Sequence, residues 1–346
     1  MLDWNEFKSK FDMEIFKTVF KQCLDVNSEK VLIIGDYGSK NNLLSPLLTN
    51  AYAFAAREMG LDYSVVLQNS KAREDMADEV MLSTLKKLPQ ASTIILNVSN
   101  RMGKLGNLGK SFRKFCHDSD HKFITSSSLG SLQSDQIKYV LKSMNVDYKK
   151  MHDKGERIKK ALDNGREVHV FTKAGTDLLY NVEGYEAINN DGIYNRKGMG
   201  GNLPAGETYI APNKREVEGT IVIDGSLRLK DRTMIVNNPV KLDIKKGEIV
   251  NFGPGYESNL LKQTIEWAHG RSKHPWGVRR IGELGIGTNP NAKIIGATVV
   301  DEKMLGTCHF AIGSNAWFGG TIYSIIHLDQ VLKDPVIKVD GRLLRV

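Results

Sequence analysis

Between positions 7 and 24 the apolar residues Phe7, Phe11, Ile15, Phe16, Val19, Phe20 and Cys23 recur at helical spacing, which predicts an amphipathic N-terminal helix with one broad apolar stripe. The pattern then shortens. Lys30-Val31-Leu32-Ile33-Ile34-Gly35 reads as a buried strand, and the Ala- and Leu-rich stretch 44–59 as the helix that follows it. Apolar runs at 63–67, 93–98 and 122–126, with helical patterns at 75–88, 110–116 and 134–144, continue a β/α alternation and predict a parallel sheet covered by helices. From about Val168 short strands alternate with glycine-rich turns, at 168–172, 178–182, 220–223 and 240–244. Lys245-Lys246-Gly247-Glu248 supplies a turn into 249–251, and one long helix over 256–269 starts just past Gly253-Pro254-Gly255. The expected fold class is therefore α/β: an N-terminal β/α alternating domain with a parallel sheet (residues 1–165), then a strand-rich α+β C-terminal domain (residues 166–346) carrying the site.

A chain of 346 residues is long enough for two cores. With 41% hydrophobic and 25% charged residues, and no run approaching the ~20 apolar residues of a membrane span, no membrane association is expected. The opening Met1-Leu2-Asp3-Trp4-Asn5-Glu6 carries acids where a secretory signal carries bases, which predicts a cytoplasmic protein. Cys23, Cys116 and Cys308 are odd in number and far apart, so a bound metal would draw on oxygen and nitrogen ligands. The net charge of +8 is concentrated in the first half, among acids and without interleaved stacking aromatics. A solvated basic face is expected, and no nucleic-acid partner.

Gly35-Asp36-Tyr37-Gly38-Ser39-Lys40 has the wrong spacing for a dinucleotide fingerprint, so no nucleotide site is assigned there. The densest cluster of unusual residues lies later. Over 200–212, two prolines and three glycines fix a loop that can hold the Glu207 carboxylate in one orientation, although a tight surface turn with a solvated glutamate is the plainer reading. Glu283 is a single acid among apolar residues and glycines; if buried it needs a partner, either Arg279 or Arg280 or a metal. His309 sits in an apolar strand, and His327 and Asp329 stand two apart, which aims both at one face. A lone histidine on such a strand is more often a core residue than a ligand, but two histidines, two glutamates and an aspartate on glycine-rich strands suit Zn, Mn, Co or Fe, one or two ions per chain.

On these residues the chain resembles the thermophilic-type metallo-aminopeptidases, the leucyl aminopeptidase or aminopeptidase T-like family. The loop Asn-x-Pro-x-x-Glu-x-Tyr-x-x-Pro matches at Asn202, Pro204, Glu207, Tyr209 and Pro212, followed in order by Gly282-Glu283, Cys308 to Gly313, and His327-x-Asp329. Gly175-Thr176-Asp177-Leu178 and Gly319-Gly320 add to it, so the likeness spans about residues 165–341. It implies metal ligation by Glu207, Glu283, His309, His327 and Asp329, with Glu207 or Glu283 also serving as general base. The implied protein is a dimeric hydrolase that releases the N-terminal residue of a small peptide through a water activated by Zn, Co, Mn or Mg. Where the family's peptidases place a tyrosine this chain has Ala316, flanked by Trp317. A second branch with a similar C-terminal pattern is a ring-opening dioxygenase of the 2,5-dihydroxypyridine type, using Fe(II) on a facial His, His and Asp site. That branch has histidine at the place of Glu283 and an apolar residue at that of His309. The hydrolase-like residue at both positions makes a metallo-aminopeptidase the expected activity, with the dioxygenase or a repurposed site as the alternatives.

Overall fold

The structure, a computed structural model, describes residues 12–39, 42–72 and 74–346. Phe7, Phe11 and Lys40 lie outside the described residues. The chain divides into two compact units, Met1–Tyr148 with Gly192–Pro204, and Lys149–Asp191 with Ala205–Val346.

In the first unit β1 (Val31–Asp36), β2 (Tyr63–Gln68), β3 (Thr93–Asn97), β4 (Lys122–Ser126) and the later β8 (Gly200–Asn202) form a sheet ordered β2-β1-β3-β4-β8, with every neighbouring pair parallel. Parallel pairing needs long crossovers. The helices Leu44–Glu58, Glu79–Lys87 and Phe112–Asp118 supply them, giving the β/α alternation that the apolar runs predict. Gly35 shows how closely the first crossover packs, because a Cβ there would lie 2.3 Å from Thr49 Oγ1. The predicted N-terminal helix is helical over Met13–Thr18 and continues as a π-helix over Val19–Cys23, with Phe16, Val19, Phe20 and Cys23 buried.

The second unit holds two seven-stranded sheets. One is ordered β14 (Glu248–Phe252), β13 (Val240–Lys245), β10 (Val217–Ile223), β6 (Asp177–Asn181), β5 (Glu167–Phe171), β18 (Val336–Val339), β19 (Arg342–Leu343). The other is ordered β12 (Thr233–Ile235), β11 (Ser226–Arg228), β17 (His327–Lys333), β16 (Thr307–Gly313), β15 (Ile281–Gly287), β9 (Glu207–Ile210), β7 (Ile188–Asn190). Together with the parallel sheet, this is the α/β fold class with a strand-rich second part. The helix Tyr256–His269 has the predicted bounds.

Alternation along these strands separates core from site. Ile210, Leu284, Ile286, Cys308, Phe310, Ile312, Leu328 and Leu332 are buried in a core shared with the other sheet, where Tyr180 stacks on Phe310 with ring centroids 5.5 Å apart. The residues between them face the opposite way, and they include all five predicted site residues. Among the described residues no helix is long and apolar enough to cross a membrane.

Candidate metal centre

Four adjacent strands, β17-β16-β15-β9, carry the five residues, and residues paired across antiparallel strands share a face. Glu283 pairs with Ala311, which pairs in turn with Asp329, so the small Ala311 side chain separates two carboxylates. Glu207 pairs with Gly287 and His327 with Gly313. His309 pairs with Gly285, where a Cβ would lie 2.0 Å from His309 Nε2. Only glycine at 285 lets that imidazole lie across β15 toward the two glutamates.

The resulting contacts form a chain. His309 Nε2 is 3.1 Å from Glu283 Oε1 and 3.6 Å from Glu207 Oε2. His327 Nε2 is 3.1 Å from Asp329 Oδ1 and 3.6 Å from Glu283 Oε2. One ligand atom from each of Glu283, His327 and Asp329 lies within 4.8 Å of the others, close enough to share an ion. His327 Nδ1 donates to the Ser314 carbonyl at 2.8 Å, which turns Nε2 toward the carboxylates, the outer-shell arrangement usual for a metal-binding imidazole. Asp329 Oδ1 is buried, and among the described residues its 3.1 Å contact with His327 Nε2 is an ion pair rather than a well-aligned hydrogen bond. A lone pair left over in this way suits a cation. Among the described residues the buried Nδ1 of His309 has no hydrogen-bond partner, so that ring lacks the outer support that His327 has.

Glu207 is differently engaged. It is buried rather than solvated, and its Oε1 accepts from Asn190 Nδ2 at 2.8 Å and from the Lys303 ammonium. Lys303, 1% exposed, also pairs with Glu302. It is held beside Glu207 by Asn289, whose backbone N–H donates to the Lys303 carbonyl at 2.8 Å and whose Nδ2 donates to the Ala205 carbonyl at 2.7 Å. Glu283 does not pair with an arginine; Arg280 bonds Glu248 instead, at 3.1 Å.

Burial alone would lower both imidazole pKa values, but the carboxylates outweigh it. Glu283 and Glu207 raise His309 to about 9, and Asp329 with Glu283 raises His327 to about 10. Burial raises Glu283. It also pushes Asp329 upward, but His327 and His309 hold that carboxyl below its usual range. Burial raises Glu302 too, against the pull of Lys303, while Glu207 and Glu302 keep Lys303 charged although burial opposes it.

Sequence reasoning missed Lys303, Glu302 and Asn190. It also missed a second group, His152, Glu156 and Asp191, in which His152 Nδ1 is 2.6 Å from Asp191 Oδ2. The spacing of His152 and Glu156 along the helix Tyr148–Asp163 was the available signal.

A family model described as NicX, 2,5-dihydroxypyridine 5,6-dioxygenase, matches residues 12–345. A 2,5-dihydroxypyridine 5,6-dioxygenase of Pseudomonas putida KT2440 is 26% identical over 191 residues, which is 52% of this chain and 53% of that protein, so the match spans about half the relative's length. The solved 2,5-dihydroxypyridine dioxygenase structure from Pseudomonas putida KT2440 superposes with a TM-score of 0.73 at 17% identity, covering 100% of this chain and 97% of that one. Wild-type AmpT from Thermus thermophilus superposes with a TM-score of 0.62 at 13% identity, covering 96% and 98%, a likeness of fold.

These findings correct the aminopeptidase expectation, and with it the hydrolase class, the protease reading and the peptide substrate. Short ligand motifs on a fold common to both enzyme types do not separate them, and the residues at 283 and 309 do not either, because carboxylate and imidazole ligands serve zinc and iron alike. Matched over nearly its whole length, the chain belongs to the 2,5-dihydroxypyridine 5,6-dioxygenase family.

Proposed function

We propose that this protein is a ring-opening dioxygenase acting on a dihydroxylated pyridine, and that Glu283, His327 and Asp329 hold one iron(II) ion with His309 beside them. The observation that carries the reading is the convergence of the three groups within 4.8 Å, with His327 oriented by the Ser314 carbonyl, in a chain of this family. Nitrogen and carboxylate donors suit iron(II); the usual oxygenase triad has two histidines and one carboxylate, whereas this group has one histidine and two carboxylates, with His309 as the neighbouring second imidazole. Such an ion supplies the one-electron chemistry that lets ground-state dioxygen react with an aromatic ring.

The chain's own groups supply charge and proton control. Asp329, kept ionised by the imidazoles, is an anionic ligand at all ordinary pH. Burial raises the Glu283 carboxyl above its ordinary range, which favours its accepting a proton over a solvated carboxylate. His309, held protonated by the two glutamates, donates from Nε2 to Glu283 Oε1 at 3.1 Å and so balances the charge of that carboxylate. Lys303 neutralises Glu207, so that carboxylate adds little net charge.

The test is oxygen uptake. Protein loaded with iron(II) without air, then mixed with 2,5-dihydroxypyridine and oxygenated buffer, is expected to consume oxygen as the ring absorbance disappears, while Asp329→Asn protein does neither. No uptake by fully iron-loaded wild-type protein contradicts the reading.

A further inference from the structure

Access to the cluster is uneven. The Lys303 and His309 side chains are sealed, whereas the His327 side chain is 23% exposed, so the cluster opens to solvent at His327. Beside that opening stands Trp317, on the turn Ala316–Phe318, with its ring centroid 4.5 Å from that of His327 and the two planes at 69°. Trp317 is 59% exposed, a large apolar surface left in water at the rim of a polar site. Beneath it the buried Phe318 meets Trp317 edge-on at 5.2 Å and Tyr209 at 5.2 Å.

The loop that presents Trp317 is tied to the cluster at two points. Ser314 gives its carbonyl to His327 Nδ1, and the fully buried Asn315 donates from Nδ2 to the carbonyl of Gly282, next to Glu283, at 2.9 Å. Asn315 Oδ1 also accepts from Ile322 N at 2.8 Å, closing the loop on itself. A Cβ at Gly320 would lie 2.0 Å from Asn315 Cγ, so glycine is needed there for this closure. The backbone that presents the indole is therefore tied to the ligand residues.

We propose that Trp317 is a substrate-binding and specificity-determining residue, whose exposed indole packs against a flat aromatic ring as that ring enters past His327. The inference rests on the ring-cleavage reading above and names the contact that selects an aromatic substrate. A neutral aromatic face offers offset or edge contact to a planar ring and nothing comparable to an aliphatic chain.

The test compares wild-type, Trp317→Phe and Trp317→Leu proteins, each loaded with iron(II). Two quantities are read: binding of 2,5-dihydroxypyridine without oxygen, by isothermal titration, and steady-state KM and kcat with oxygen. Trp317→Leu is expected to weaken anaerobic binding and raise KM by roughly three- to tenfold with little change in kcat, while Trp317→Phe recovers most of the loss. Bound iron should stay equal in all three, which a merely structural role through His327 would not give. Equal binding and KM in Trp317→Leu, with wild-type turnover intact, overturns this inference alone. A wild-type protein that binds the pyridine more weakly than Trp317→Leu overturns it as well. Iron-loaded wild-type protein that neither binds nor consumes the pyridine overturns the ring-cleavage reading and this inference with it.

Discussion

The two ends of the ligand-bearing sheet face hold carboxylates matched by different cations. At the β9 end Glu207 is buried, with its Oε1 held by both the Lys303 ammonium and Asn190. At the β17 end Glu283 and Asp329 face the His327 imidazole, Asp329 Oδ1 lying 3.1 Å from its Nε2, Lys303 acts on Asp329 only through space, and the site opens to solvent. A carboxylate matched by an ammonium has little to gain from an ion, whereas carboxylates matched by an imidazolium gain one when the ring releases its proton and offers the freed nitrogen. Residue type alone does not mark a metal ligand; what else satisfies the group decides.

The largest expected effect breaks the closed end. Lys303→Met strands Glu207 and Glu302 as buried carboxylates, and removing one partner of a buried ion pair costs roughly 3–5 kcal/mol. Urea unfolding of metal-free protein should show that loss, and a change below about 1 kcal/mol, the size expected of an exposed pair, would mean that Lys303 is not buried against them. At the open end, Asp329→Ala should leave the fold intact and weaken iron(II) binding by about a hundredfold or more, since even outer-shell losses cost 10–100-fold. Competition against a chelator measures it, and unchanged affinity would move the site elsewhere.

A smaller effect links the two ends. Gly285→Ala places a methyl where the His309 ring lies, and overpacking of this kind typically costs about 1–3 kcal/mol. The variant should unfold at lower urea and, with His309 displaced from Glu283, bind iron more weakly. Wild-type stability would show that the ring is free to move aside.

How far such sites can be read from sequence depends on where each residue finds its partner. His327 and Asp329 were legible because period-two spacing puts both on one face within a single strand. Glu283 stood out as a lone acid among apolar residues and glycines. Lys303 was not legible: beside Glu302 it looks like a solvated surface pair, and the carboxylate it neutralises lies 96 residues earlier. The strand Gly200–Asn202 was hidden for a different reason. Two glycines give no apolar pattern, and their value is spatial, since a Cβ would lie 2.4 Å from the Phe123 ring at Gly200 and 2.3 Å from Tyr194 Oη at Gly201. The helix Tyr256–His269, by contrast, is punctuated by Gly253-Pro254-Gly255 and follows its own local pattern. The hydrolytic expectation is overturned by the family match, because mixed carboxylate and imidazole ligands serve zinc and iron alike and do not by themselves fix a reaction.

The smallest effect sharpens the comparison by titration. Without an ion the carboxylates hold His309 protonated up to about 9 and His327 up to about 10. An ion must displace such a proton to use the ring nitrogen, so iron(II) affinity should rise with pH below these values, by about tenfold per unit for each proton displaced. A slope of one proton between about pH 6 and 8 points to His327 alone as the imidazole ligand, a slope of two adds His309, and a flat profile contradicts imidazole ligation.

The central claim, that the open end serves ring cleavage by dioxygen, is tested most directly by turning over 2,5-dihydroxypyridine with iron-loaded protein under isotopically heavy dioxygen and weighing the product. The account predicts an opened ring carrying both heavy oxygen atoms. Intact pyridine, or a product that takes its new oxygen from water, would contradict it.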